Sequence, residues 1–377
     1  MKTNSMTNAL HQQPDKSRLI CLPLNDKLDA IQRIYIRHPD IDHAWKVLKY
    51  NLLHSVRRSE AACGYIVGHS RCGKSETAKR WIYQTCGRRP EAGKPGKPYQ
   101  PYQLIEGNGK TIVYADLTNG STPFIATCQM LKKLFNDITT TTLSETTAAA
   151  RLIEQFRLAK VDQFIIDEGQ KMFVKKGAAA ITKFASWLVT IENARLFGTV
   201  VMGDMRLKDL FPQDDAINER KTGLALLRPF PFATPSDEED YEGFVVEFER
   251  MLPFNKTPIT NGTGRCTPLM LLMIYFATRG PPGALSKLCE AATVEAYERL
   301  GGKNVESLEM ADFIAAFDFL SKNDPRMKGV NPFTVDDRRK IPSFPLTPTE
   351  KEADSEADTP EAPRRRSKVG GRILAKS

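Results

Sequence analysis

The sequence predicts an α/β fold in which a parallel sheet is flanked on both faces by helices. Three observations carry this expectation. Gly68-His69-Ser70-Arg71-Cys72-Gly73-Lys74-Ser75 has the form G-x-x-x-x-G-K-S and lies between the apolar run Cys63 to Val67 and a helix-compatible stretch that starts at Glu76. A second apolar run, Phe164-Ile165-Ile166, ends in the two acids Asp167 and Glu168. Between and beyond these runs, strand candidates alternate with helix candidates, and apolar strands in such an alternation are buried on both faces of a parallel sheet.

Taken in order, residues 1–40 carry Pro14, Pro23 and Pro39 with weak periodicity, and read as an arm laid on or extending from the core. Ile41 to Arg58 repeats Ala44, Val47, Leu48, Leu52 and Leu53 at helical spacing, so an amphipathic helix precedes the first strand. Arg88 to Lys110 holds Pro90, Pro95, Pro98 and Pro101 and is expected to be an extended surface loop. Thr111 to Ala115 reads as a buried strand and Pro123 to Phe135 as a helix. A threonine-rich stretch, Thr139 to Thr142, ends that helix, and Ser144 with Glu145 opens another that runs to about Lys160. After the acid-tipped strand, Ala178 to Glu192 is a helix and Leu196 to Met202 a strand.

The composition bounds the partners. With 377 residues, 41% hydrophobic and 26% charged, the chain suits one large or two modest globular domains with a sizeable core. A formal net charge of +9 favours a polyanionic partner, nucleic acid above all. The seven cysteines are too scattered for a metal pair and fit a reducing cytoplasm. The N-terminus lacks the apolar core of a signal peptide, and no apolar run approaches the ~18 residues of a membrane span, so a cytoplasmic protein with no membrane partner is expected.

The glycine loop explains its own chemistry. Backbone N–H groups freed by Gly68 and Gly73 can wrap phosphates, with His69, Ser70, Arg71, Cys72 and Glu76 making up the cradle and its exit. Lys74 can reach the β and γ oxygens of ATP, and the Ser75 hydroxyl can ligate Mg²⁺. Asp167 is then the metal carboxylate and Glu168 the base that polarises the attacking water. Asp204, at the tip of the last predicted strand, is either a γ-phosphate sensor or a cap for the helical turn at Leu207.

From this point the sequence resembles a known family. The loop, Asp167-Glu168-Gly169-Gln170, Met202-Gly203, Asn218-Glu219-Arg220, Leu227-Arg228-Pro229-Phe230, Glu247 to Phe254, and Thr278-Arg279-Gly280-Pro281-Pro282-Gly283 through Leu288 follow one another in an order similar to the AAA+ ATPases of bacterial transposition, TniB and TnsC, relatives of MuB and IstB. The resemblance covers about residues 35–318. It implies an AAA+ P-loop NTPase fold with a small C-terminal helical lid, divided as an arm (1–40), a nucleotide-binding domain (41–235), a lid (236–325) and a disordered charged tail (326–377).

The same resemblance implies a bacterial, ATP- and Mg²⁺-dependent regulator that assembles as a homo-oligomeric ring or filament on double-stranded DNA. Such a regulator marks a target and recruits transposase subunits, with a target-selection factor as a further partner. The neighbouring subunit's arginine finger maps to Arg228, with Arg220 second, and Arg279 is a candidate second sensor; a surface salt bridge is the competing role for both finger candidates. DNA contacts map to Lys110, Thr118, Ser121, Thr122, Lys132 and Lys133, against an ordinary turn and a solvated helix face. The alternative is a helicase-loader or initiator-like ATPase of replication, which shares the same core. In the tail, Glu350 to Glu361 holds six acids and Arg364 to Lys376 six bases, either an interaction segment for DNA or transposase or a solubilising end.

Overall fold

Buried apolar runs become strands, and among the described residues six of them form one sheet. The computed structural model describes residues 16–55, 63–91, 99–117, 121–137, 143–173, 177–213, 221–322 and 330–341. The strands are β1 (Cys63–Gly68), β2 (Tyr102–Gly107), β3 (Lys110–Asp116), β4 (Gln163–Asp167), β5 (Gly198–Gly203) and β6 (Lys221–Leu227), in the order β2-β3-β4-β5-β1-β6. All pairings are parallel except β2 with β3. Every residue of β1, β4 and β5 is buried, which is why these central strands read as apolar without alternation.

Helices cover both faces as the alternation requires. On one face α3 (Pro39–Ser55) and α4 (Lys74–Cys86) pack Leu48, Trp81 and Ile82 against Ile66, Ile165 and Val200. On the other, α5 (Pro123–Phe135), α6 (Glu145–Leu158) and α7 (Ala178–Asn193) pack Met130, Phe156 and Trp187 against Tyr65, Phe164 and Val201. Thr122 and Ser144 cap α5 and α6 by accepting the Ile125 and Thr147 N–H groups. A third core belongs to the C-terminal helices α8 (Pro235–Met251), α9 (Pro268–Thr278), α10 (Pro282–Arg299) and α11 (Met310–Ser321), built on Phe244, Ile274, Leu285 and Phe313. Thr234-Pro235 and Thr267-Pro268 start α8 and α9 with a capping threonine and a proline in the first turn.

Four expectations need correction. The loop expected over Arg88 to Lys110 contains β2, an edge strand, because Asn108 (φ 50°) and Gly109 (φ 68°) supply the left-handed two-residue turn that closes a hairpin onto β3. Strand β6 has no counterpart in the sequence reading, since its sequence Lys-Thr-Gly-Leu-Ala-Leu-Leu is short of β-branched residues. Leu53, grouped with the buried face of α3, is exposed. The tail boundary also moves: Asn331 donates from Nδ2 to Ile314 O at 2.9 Å, and Phe333 is buried against Phe313 and Phe317 in the C-terminal core.

Of the N-terminal arm, the described helix at Leu24–Gln32 packs on the C-terminal helices. Ahead of α2 (Leu24–Gln32) lies the short α1 (Lys16–Ile20). Ile31 of α2 is part of the C-terminal core, Gln32 donates to Glu290 Oε2 at 2.9 Å, and the buried Lys27 donates to Val305 O. Residues 1–15, Thr118, Thr139 to Thr142, Arg220 and the charged segments beyond residue 341 lie outside the described residues.

Candidate nucleotide site

Parallel strands bring the predicted motifs to one edge of the sheet. Register places Gly68 beside Leu227, Val67 beside Gly203, and Asp116 beside Asp167. The phosphate loop, the paired acids and the tip of β5 therefore share the C-terminal edge, where open α/β sheets bind ligands. Gly68 has no room for a side chain: a Cβ there would lie 2.3 Å from Leu227 O. Gly73 sits at φ 87°, a left-handed conformation that suits glycine, immediately before α4.

The loop is closed on itself. Lys74 Nζ donates to Gly68 O at 2.6 Å and His69 O at 2.8 Å, so the ammonium already occupies the inside of the cradle. Cys72 is buried in the core under α3 and α4 and shapes the loop from below. Ser70 and Arg71 face solvent at its crown. Glu76 forms ion pairs with Arg80 at 2.7 Å and with Arg89, a fixed charge cluster on the first turn of α4.

Asp167 is the most heavily bonded group of the site. It is fully buried and accepts the Tyr114 hydroxyl at 2.7 Å and the Glu168 N–H at 2.9 Å. Burial pushes its carboxyl above the ordinary value. The nearby Ser75 and Tyr114 hydroxyls pull it back, while Glu168 and Asp116 push it further up. A hydroxyl and a carboxylate at the mouth of a phosphate loop are an all-oxygen donor set, which fits the hard Mg²⁺ ion.

Glu168 stands at φ 59°, and its carboxylate is held by Lys171 Nζ at 3.2 Å and by Gln170 Nε2 at 3.1 Å. The Oε1 atom of Gln170 accepts the Asp204 N–H at 3.2 Å, so one amide spans from the paired acids to the tip of β5. Gly203 leaves space for that amide, since a Cβ there would lie 2.4 Å from Gln170 Oε1. The Asp204 side chain itself accepts the Arg206 N–H at 3.0 Å and ion-pairs with the Arg206 guanidinium.

The lid meets the loop through backbone. Gly283, in the first turn of α10, donates its N–H to Arg71 O at 2.9 Å, and a Cβ there would lie 3.0 Å from the same oxygen. Arg279 ends α9 in the left-handed conformation with its guanidinium 5.6 Å from the Phe276 ring centre. Gly280, next along, packs against the Phe230 backbone. Arg228 follows the last residue of β6 beside Gly68, is exposed, and pairs loosely with Asp40 at 3.7 Å.

The residues assigned to DNA do not form one cluster. Lys110 begins β3, on the order of 20 Å along the strand from the site edge, and pairs with Asp162 at 2.7 Å. Ser121 is buried and hydrogen-bonds Tyr102, while Thr122 caps α5. Lys132 and Lys133 are exposed in the last turn of α5. The sequence reading did not single out Tyr114 and Asp116, and it quoted Gln170 and Gly283 within motifs without giving either a role at the site. A tyrosine inside the apolar run Thr111 to Ala115 was the available signal for the first, and the motif Asp-Glu-Gly-Gln for the third.

Sheet order, loop and lid together define an AAA+ P-loop NTPase fold. Residues 57–211 match a family model described as AAA domain. Cdc6p from Pyrobaculum aerophilum is similar in structure, with a TM-score of 0.51 at 12% identity over 76% of this chain and 69% of that one. The Aeropyrum pernix ORC1 protein, solved in complex with DNA, has a TM-score of 0.52 at 14% identity over 78% of this chain and 69% of that one. At such identities the likeness is one of fold. No curated protein gives a significant match to the chain. Among the described residues no helix is long and apolar enough to cross a membrane.

Proposed function

We propose that the protein is an ATP-hydrolysing switch that assembles on double-stranded DNA and regulates transposition by marking a target and engaging transposase subunits. The observation that carries the switch is the Gly283 to Arg71 hydrogen bond, which ties the lid to the phosphate loop, so that a phosphate filling the loop acts directly on lid position. In the closed loop Lys74 must leave the Gly68 and His69 carbonyls to reach phosphate oxygens. Glu168 must leave Lys171 to orient a water, while Gln170 keeps its carboxylate beside the tip of β5. Ser75 and Asp167 would hold Mg²⁺, which neutralises charge on the terminal phosphates. Arg228 at the rim, or Arg220, would complete a neighbour's site.

The transposition role rests on the ordered motifs from Asp167 to Leu288. A replication-initiator role is the second reading, favoured by the fold shared with the ORC1 protein that was solved with DNA. The test is electron microscopy of the full chain with duplex DNA and a non-hydrolysable ATP analogue, alongside Lys74→Ala and Glu168→Gln. Wild-type protein should form rings or filaments only with nucleotide. Lys74→Ala should fail to assemble, and Glu168→Gln should stay assembled in ATP. Nucleotide-independent assembly of Lys74→Ala would refute the switch, and stimulation of a replicative helicase in place of a transposase would favour the second reading.

A further inference from the structure

Strand β3 enters the site through a residue to which no motif assigns a role. Tyr114 is completely buried under α3 and α4, yet its hydroxyl reaches Asp167 Oδ2 at 2.7 Å. The other oxygen, Oδ1, accepts the Glu168 N–H at 2.9 Å. Two donors, one from β3 and one from the strand end, take one oxygen each and fix the plane of the carboxylate. Register explains how the tyrosine gets there: Tyr114 pairs with Ile165 and Asp116 with Asp167, so Tyr114 stands two residues below the acid and its ring spans that rise. The ring also shields Asp167 from water on the side away from the loop, since both residues are fully buried.

A carboxylate that must meet a cation at the loop mouth gains from having its rotation about Cβ–Cγ stopped beforehand, because an outer partner that orients a ligand raises the ligand's affinity for metal. We infer that Tyr114 is a positioning residue which orients Asp167 for a divalent cation shared with Ser75. The inference rests on Asp167 being the metal carboxylate of the proposed function. Tyr114→Phe removes one oxygen atom and leaves the buried ring in place, so it isolates the hydrogen bond from packing.

The experiment measures binding of a fluorescent ATP analogue to the full chain across a series of free Mg²⁺ concentrations and in excess EDTA, with Mn²⁺ binding in the presence of ADP followed by electron paramagnetic resonance. Wild type, Tyr114→Phe and Asp167→Asn are compared. In Tyr114→Phe the half-saturating Mg²⁺ and the Mn²⁺ dissociation constant should rise by about ten-fold, while nucleotide affinity in EDTA stays within about two-fold of wild type. Metal curves that superpose with wild type while Asp167→Asn is displaced would overturn the role of Tyr114 and leave Asp167 in place. An equal loss of nucleotide affinity with and without metal would assign Tyr114 to structure alone. If Asp167→Asn also superposes with wild type, the metal assignment itself is wrong and the inference falls with it.

Discussion

Gln163→Leu tests the packing that positions the site edge. Gln163 begins β4 and is fully buried; its Nε2 donates to Leu48 O at 3.0 Å and Asn51 Oδ1 at 3.1 Å, and its Oε1 accepts the Trp81 indole N–H at 2.8 Å. Asn51 in turn donates to Thr199 O at 2.8 Å. One amide thus joins α3, α4, β4 and β5. Leucine fills nearly the same volume but leaves the Trp81 N–H without its acceptor, while Leu48 O and Asn51 Oδ1 each lose one bond. An orphaned buried donor costs about 1–3 kcal/mol, giving a net loss of about 2 kcal/mol. For a domain of this size that corresponds to a melting temperature lower by about 4–8 °C.

The assay is scanning calorimetry of wild type, Gln163→Leu, Trp81→Phe and the double variant. Trp81→Phe alone strands Gln163 Oε1, whereas the double variant removes both partners of that bond, so the two losses should fall short of adding by about 1 kcal/mol or more. Gln163 is four residues from Asp167 and roughly 13 Å away along the strand, so the ATP affinity of the folded variants should not change. A Gln163→Leu melt within 1 °C of wild type, or strictly additive losses, would refute the accounting.

Three further outcomes follow from the site geometry. Gln170→Ala, which removes one of the two groups holding the Glu168 carboxylate and the side-chain acceptor of the Asp204 N–H, should lower kcat by about ten-fold or more with little change in KM; in a Glu168→Gln background single-turnover rates should show no additional loss. Gly283→Val pushes a branched side chain onto Arg71 O and Arg71 Cβ, and should weaken binding of an ATP analogue by about ten-fold, an overpacking cost of ~1–3 kcal/mol, read by titration at constant Mg²⁺. Burial raises the Asp167 carboxyl, so the nucleotide-free folded chain binds that proton more tightly than the unfolded chain does. The stability linked to this proton is complete below the ordinary carboxylate value and lost as pH rises through the raised one. Asp167→Asn should therefore melt higher than wild type at neutral pH, with the gap narrowing on acidification in thermal scans without nucleotide.

The elements with a local physical signature were legible. Gly68 to Ser75 and the apolar run into Asp167 announced themselves because a tight loop needs glycine and a central parallel strand needs apolar residues on both faces. The Ser144 cap and the proline start of α5 are equally local and gave helix boundaries close to those observed. What stayed hidden depends on pairing between distant segments. Strand β2 was obscured by the prolines that precede it although Asn108-Gly109 is a hairpin turn, and β6 is recognisable only by its register with β1. The roles of Tyr114 and Gln170 come from which strand lies next to β4, a fact of topology that no spacing in the sequence encodes. Ser121 shows the converse: a hydroxyl that suits a phosphate contact by type is buried against Tyr102.

The packing of α2 on the lid bears on how the molecule can be divided and how it can move. Among the described residues the chain crosses between the nucleotide core and the lid twice, once on the way in after Gln32 and once on the way out after Leu227. The incoming crossing is anchored on the core side: Trp45 Nε1 donates to the Tyr35 hydroxyl at 2.9 Å, and Arg80 stacks its guanidinium 4.7 Å from the Tyr35 ring centre. Two tethers restrict a body more than one does, favouring rotation about the line that joins them over swivelling. A lid fragment cut from residue 231 onward would lose Ile31 and Lys27 from its interior, and should need the Leu24–Gln32 helix added back, as a peptide or by fusion, before it holds its shape.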